Sequence, residues 1–319
     1  MFNFGKKITR WDYESKKYGL ASQNEPVQEI TISCDCRLYP DMKKVYDRFS
    51  SIFNLDTNKV GFILANGCEN VMKQVLLAIR PKNLTWFEPT WKMPEVFCAA
   101  LNIKPRKYKF EYDSQDKKIY TPKLYRGGDC FYSNYGTSSL FQYKANKEYS
   151  ILGWNKRFKY TILDCTYCNF NEMFSAVHYA ELDKNTIVIG SFDKLVGCGL
   201  RLGFAIFPKK LNEAMQLQRE QYINMCAYNW LMTTTIKALK YDIPKNPVKD
   251  YLKNRSITLP SNWSLTDNFI TIPNHIETRE SLNPVYFELD GQQFTKLGLP
   301  NTKYEKQQIY RIIRKELGL

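Results

Sequence analysis

"IVIGSFDKLVGCGLRLGFAIF", residues 187–207, decides how the chain folds. An apolar run ends in Ser191, Asp193 and Lys194. A glycine-rich turn carrying Arg201 follows, and then a second apolar run. Short apolar runs bounded by glycine and polar residues predict two strands joined by a loop. The loop holds one amine at a strand end and a second cation seven residues on. The spacing of "GCGLRLG" does not fit the dinucleotide fingerprint G-x-G-x-x-G, and no G-x-x-x-x-G-K-[ST] phosphate loop occurs. An ordinary connecting loop is the other reading of this stretch taken by itself.

Outward from it, "NLTWF" (83–87), "RKYKF" (106–110), "CFYSN" (130–134), "YTILD" (160–164), "TIVIG" (186–190) and "GFAIF" (203–207) predict strands. Residues 69–80, 93–102 and 210–240 carry helical patterns between and after them. This alternation predicts an α/β domain with a mostly parallel sheet flanked by helices, over residues 31–240. "YDIPKNPVKD" (241–250) reads as a boundary. Residues 241–319, with strands in "DNFITIP", "VYFELD" and "QQFTKLG" and a last helix "YEKQQIYRIIRKEL", predict a small α+β domain that residues 1–30 join.

The chain has 319 residues, enough for one large core and a smaller satellite, and its 44% hydrophobic content is that of a globular protein. There is no apolar run of the length a membrane span needs, about 18 residues. "MFNFGKKITRWDYESKK" (1–17) lacks the apolar segment of a signal peptide, so a cytoplasmic location is expected. Nine cysteines, an odd number, fit reduced thiols in that compartment. "CTYC" (165–168) has metal or redox spacing, but it has no second C-x-x-C and the chain has two histidines, so no metal site is expected. The net charge of +14 leaves a nucleic-acid partner as an alternative; the scattered lysines favour a solvated basic surface.

In an α/β sheet, ligands gather at the carboxyl ends of the strands. Those ends carry a series of distinctive groups here. "NGCEN" (66–70) opens a helix, whose N–H groups suit a phosphate. "FEPTW" ends on Trp91, "FYSNYGT" places Asn134, "ILDCTY" gives Asp164 and Tyr167, and "SFDK" gives Ser191 and Lys194, with Arg201 beyond. Taken singly, each has an ordinary structural explanation as a cap, a turn residue or a core side chain.

In this order the series resembles fold-type I pyridoxal phosphate enzymes, in particular the histidinol-phosphate aminotransferase-like branch of the class I/II aminotransferases. The likeness runs from "LYPDMKKVYDRFSSIF" (38–53), where a helix follows "LYPD", to the last helix. It implies an aspartate aminotransferase-like fold, pyridoxal 5'-phosphate as cofactor, and transfer of an amino group from a small amino donor to a keto acceptor. Lys194 would form the Schiff base with the cofactor and act as general base. Asp164 would pair with the pyridine nitrogen, Asn134 and Tyr167 with the phenolic oxygen, and Trp91 would stack on the ring, where the family has Tyr or Phe. The phosphate would lie on the N–H groups of Cys68 and Glu69, with Ser191 and Arg201 adding donors. Tyr39 matches a tyrosine that reaches the phosphate of the neighbouring subunit, which implies a homodimer. Decarboxylation on the same scaffold, as in threonine-phosphate decarboxylases, and action on a nucleic-acid-borne amine are the alternatives.

The chain also departs from the family. Asp193 stands where Ser is common; an ionised carboxylate only accepts hydrogen bonds, so it is expected to face away from a phosphate. The Lys–Arg spacing is seven instead of eight, "NYGT" replaces Asn-Pro-x-Gly, and the Asn-x-Asn-Pro segment before "CDCRLYP" is missing. The arginine that clamps a substrate carboxylate falls on Phe294. Lys296, two residues on and on the same face of a strand, is the candidate replacement, as a point charge instead of a bidentate fork.

Overall fold

The computed structural model describes residues 42–122, 127–138, 157–193, 201–219, 247–266, 269–278, 282, 284–298 and 303–319. These fall into two compact units, with residues 42–219 in one and 247–319 in the other. Lys194, Tyr39, the first thirty residues and most of the helical pattern at 210–240 lie outside the described residues.

In the larger unit, α1 (Met42–Phe53) precedes β1 (Val60–Asn66), α2 (Gly67–Ile79), β2 (Asn83–Glu88), α3 (Met93–Ala100) and β3 (Lys104–Lys109). A short ribbon of β4 (Glu111–Asp113) and β5 (Lys118–Tyr120) follows. Then come β6 (Gly128–Asn134), β7 (Phe158–Asp164), α4 (Phe170–Leu182), β8 (Thr186–Ser191), β9 (Leu202–Pro208) and α5 (Asn212–Arg219). The described strands form a seven-stranded sheet in the order β1-β9-β8-β7-β6-β2-β3. Neighbours from β8 to β3 pair in parallel, and β9 runs antiparallel to both β8 and β1. The mostly parallel α/β sheet expected from the alternation of strands and helices is therefore present.

The apolar runs are continuous because both faces of the sheet are covered. Side chains alternate along each strand, so Val188, Phe204, Ile206 and Leu163 enter one core cluster while Ile187, Ile189, Ala205 and Ile162 enter the other. The first cluster is closed by aromatic residues of α1 and α4. Phe49, Phe53 and Phe170 pack with Phe192 and Phe204, and Phe53 stacks on Phe170 with centroids 5.7 Å apart. The second is closed by α2 and α3 through Val71, Met72, Val75 and Phe97. Among the elements that build these two clusters, two escape the sequence pattern. β1 reads "VGFILAN" with a glycine inside, and α4 starts in a polar stretch, where Asn169 and Glu172 form a reciprocal capping box.

The smaller unit comprises α6 (Pro247–Asn254), β10 (Ser264–Leu265), β11 (Phe269–Ile272), β12 (Val285–Leu289), β13 (Gln292–Gly298) and α7 (Lys303–Leu317). Its four described strands form an antiparallel sheet, β10-β11-β13-β12. One face of the sheet packs Ile270, Ile272 and Leu297 with Ile309 and Ile313 of α7 and Val248 of α6. No helix among the described residues is long and apolar enough to cross a membrane.

Candidate active site

The parallel strands end side by side, and among the described residues Asn134, Asp164 and Ser191 sit at those ends. Asn134 closes β6 and Asp164 closes β7, and the two are register partners. Ser191 closes β8 opposite Gly203 of β9, and Asn66 closes β1 opposite Leu202. Trp91 lies three residues beyond β2 and packs half-buried against the α2 side of the sheet. Tyr167 follows Asp164 by one turn, and its backbone N–H donates to the Ser138 hydroxyl at 2.9 Å.

Asp164 is 3% exposed. Tyr132 donates its phenol proton to Oδ2 at 2.5 Å, and the Thr166 N–H donates to Oδ1 at 2.8 Å. Burial pushes the carboxyl above its ordinary value, and hydrogen bonds from Thr166 and Tyr132 pull it partly back. Burial and the adjoining carboxylate push the Tyr132 phenol well up, so it stays a donor. Asn134 Nδ2 in turn donates to the Tyr132 oxygen at 3.4 Å, and the Thr90 hydroxyl donates to Asn134 Oδ1 at 2.6 Å. Tyr132 and Thr90 carry no motif. The signal that would have found Tyr132 is its position two residues before Asn134, on the same strand face.

Across the sheet, α2 opens at Gly67 without a side-chain cap from Asn66. The first-turn N–H groups of a helix have no intrahelical acceptor. Here Gly67 N–H is taken by the Arg201 carbonyl at 2.9 Å. Two glycines make this approach feasible. A Cβ on Gly203 would stand 2.3 Å from the Gly67 carbonyl carbon, and a Cβ on Gly67 would stand 2.5 Å from the Arg201 guanidinium. Arg201 itself has φ +52°, a left-handed conformation that costs a non-glycine residue about 1 kcal/mol or more. Cys68 is buried directly behind this turn, and burial, then the Asp164 charge, push its thiol well up.

Asp193 and Ser191 are both engaged within the chain. Asp193 is buried, its Oδ2 lies 3.3 Å from Arg201 Nη1, and its Oδ1 accepts Leu202 N–H at 2.8 Å. An ionised carboxylate cannot donate to a phosphate, and here it faces the Arg201 guanidinium. Ser191 is 1% exposed, and its hydroxyl donates to the Leu202 carbonyl at 3.1 Å and accepts Asp193 N–H at 3.1 Å. Its one proton is used inside the β8–β9 pair.

The remaining candidates stand as follows. Glu69 is half-buried in the first turn of α2. In "CTYC", Cys165 and Cys168 are both buried free thiols, and Cys168 donates to the Tyr135 carbonyl at 3.0 Å. In the smaller unit, Phe294 is 1% exposed and stacks on Phe287 at 5.2 Å, while Lys296 Nζ lies 4.4 Å from the centroid of the Phe269 ring.

No protein-family model and no curated protein matches the sequence. Solved structures do resemble it. The histidinol-phosphate aminotransferase from Clostridium acetobutylicum has a TM-score of 0.63 at 15% identity, over 86% of this chain and 89% of that one. L-threonine-O-3-phosphate decarboxylase from Porphyromonas gingivalis gives 0.59 at 14% identity, over 89% and 91%. An aspartate aminotransferase from Thermotoga maritima gives 0.57 at 13% identity, over 87% and 81%. The chain therefore has the aspartate aminotransferase-like fold, the fold type I of pyridoxal phosphate enzymes.

Proposed function

We propose that this chain is a pyridoxal phosphate-dependent aminotransferase acting on a small amino or keto compound. One observation carries the reading: a buried carboxylate and an amide, Asp164 and Asn134, stand in register at the sheet end that also holds the uncapped start of α2 and Arg201. These residues fit the cofactor. The carboxylate suits a ring nitrogen, the amide suits a phenolic oxygen, and the narrow Gly67–Gly203 turn with a guanidinium suits a phosphate.

When bound, the cofactor supplies an electron sink for charge on the substrate carbon beside its amine. Asp164 keeps the proton on the ring nitrogen, which sustains that sink. Asn134 and Tyr167 orient the ring through its oxygen, and Trp91 covers one face. The backbone of Cys68 and Glu69, with Arg201, fixes the phosphate. Lys194, next in sequence to Asp193, holds the cofactor and moves the proton at the substrate α-carbon. Tyr39 reaches the phosphate from a second copy in a homodimer, and Lys296 receives a substrate carboxylate.

The test is an absorbance spectrum of purified protein with pyridoxal phosphate, then borohydride reduction and peptide mass mapping. Cofactor mass fixed on the Lys194 peptide is the expected result; a different labelled lysine, or no cofactor uptake, refutes the assignment. A donor screen should then release a keto product without carbon dioxide. Carbon dioxide release would instead place the chain with decarboxylation, the reaction named for the Porphyromonas gingivalis neighbour.

A further inference from the structure

Tyr132 joins the two residues to which the proposed function gives the ring nitrogen and the phenolic oxygen, and its single proton sets the direction of every hydrogen bond between them. Three contacts link four side chains: Thr90 to Asn134 at 2.6 Å, Asn134 to Tyr132 at 3.4 Å, and Tyr132 to Asp164 at 2.5 Å. An ionised carboxylate only accepts, so the single phenol proton must go to Asp164. The Tyr132 oxygen is then left as an acceptor. That turns the NH2 side of the Asn134 amide toward Tyr132 and its carbonyl toward Thr90, whose hydroxyl must donate. One N–H of Asn134 is used by Tyr132, and the second meets no acceptor among the described residues.

Protonation of Asp164 reverses this logic. A neutral carboxyl group has a proton of its own to give, so Tyr132 can accept it and donate to Asn134 instead. The amide then favours its carbonyl toward Tyr132, and Thr90 becomes the acceptor. The group presented outward by Asn134 therefore depends on the charge of a carboxylate on the next strand.

We propose that Tyr132 is a positioning residue that couples the ionisation of Asp164 to the orientation of the Asn134 amide. The chain binds its ring nitrogen partner and its phenolic oxygen partner as one unit, set by a single proton. This rests on the cofactor reading for its use, but not for its existence, since all four side chains belong to the protein itself. Among the described residues, the titratable groups near Asp164 are Tyr132 on β6, Cys68 on α2 and Cys165, the residue after β7. Burial pushes Cys68 and Cys165 well up, so neither thiol gains charge while Asp164 titrates.

The experiment is a pH titration of the full chain without added cofactor, labelled with 13C at aspartate carboxyls and 15N at asparagine side chains. In wild type, the Asn134 amide signals should move with the Asp164 carboxyl midpoint. In Tyr132→Phe, the Asp164 midpoint should rise, because its charged form loses a donor, and the Asn134 signals should stop following it. Thr90→Val is the second variant for the case in which Tyr132→Phe does not fold. It removes the donor that completes the relay, and the Asn134 response to pH should shrink. An unmoved Asp164 midpoint with Asn134 still following it in Tyr132→Phe overturns the proposal, as does an unaltered Asn134 response in Thr90→Val if only that variant folds. Repeating the titration with pyridoxal phosphate separates the two claims. Absence of cofactor binding would refute the cofactor reading and leave the coupling measured in the chain alone to stand or fall by itself.

Discussion

At the Asp164 end of the site, the phenol, amide and carboxylate groups are buried or half-buried and joined to one another, while at the Arg201 end a guanidinium, 40% exposed, lies beside a helix start shaped by two glycines. The first end depends on which side chains are present, because each hydrogen bond there fixes the next. The second depends mainly on backbone shape. Its N–H groups belong to any residue at 68 or 69, but its close approach tolerates only glycine at 67 and 203. Substitutions should therefore divide the two ends sharply.

The largest effect is expected at Asp164. Asp164→Asn keeps the volume and can still accept the Tyr132 proton, so the fold should persist. On the proposed function the ring nitrogen would lose its charged partner, and turnover should fall about 10²–10³-fold, the scale seen when one preorganised electrostatic group is removed from an active site. The same variant changes the pH dependence of stability. Burial raises the folded-state value above the unfolded value of about 3.9. In that window the folded chain binds more protons than the unfolded chain, so stability falls as pH rises from the unfolded value through the folded one. Asp164→Asn lacks this carboxyl and should show a flatter Tm against pH profile over that window. An unchanged profile would mean that the carboxylate titrates as if exposed.

A smaller change is expected at Asp193. Its carboxylate serves two roles, accepting Leu202 N–H and facing Arg201. Asp193→Asn retains an acceptor for Leu202 and removes the counter-charge. Arg201 then loses one acidic competitor for anions, and pyridoxal phosphate should bind several-fold more tightly at low salt. The gain should fade as salt is raised, because exposed charges are screened within about 10 Å at 0.1 M ionic strength. Weaker binding in this variant would show that Asp193 acts chiefly by holding the guanidinium in place.

The contrast between the two ends also explains what the sequence made legible. Strands buried on both faces read directly as apolar runs, so β2, β6, β7, β8 and β9 stand out and with them their C-terminal residues. β1 is equally buried but carries Gly61 within it, and α4 begins from a capping box instead of an apolar stripe. Asn134 and Asp164 are visible as polar residues that end apolar runs. Tyr132 is hidden because a tyrosine inside such a run looks like any core aromatic; only the neighbouring strand reveals the carboxylate beneath its hydroxyl. Asp193 is legible as a departure, yet its direction is not, since the Arg201 that it faces lies eight residues on in the sequence.

The smallest effect is expected at Cys68, which belongs to both ends. Its backbone N–H lies in the first turn of α2, one residue after the Gly67 N–H that the Arg201 carbonyl accepts, while its buried thiol feels the Asp164 charge. Burial pushes that thiol well above its ordinary value, so it is neutral at working pH and its removal takes no charge away. Cys68→Ala keeps the N–H, places the best helix former in a helical turn, and leaves a void of about one sulfur atom, which should cost roughly 1 kcal/mol of stability. Cofactor affinity should change by less than about threefold, well under the tenfold that 1.4 kcal/mol would bring. Denaturant unfolding and cofactor titration of the same variant measure both quantities. A loss of affinity of about tenfold or more would mean that the sulfur itself touches the ligand, and that side-chain identity governs both ends of the site.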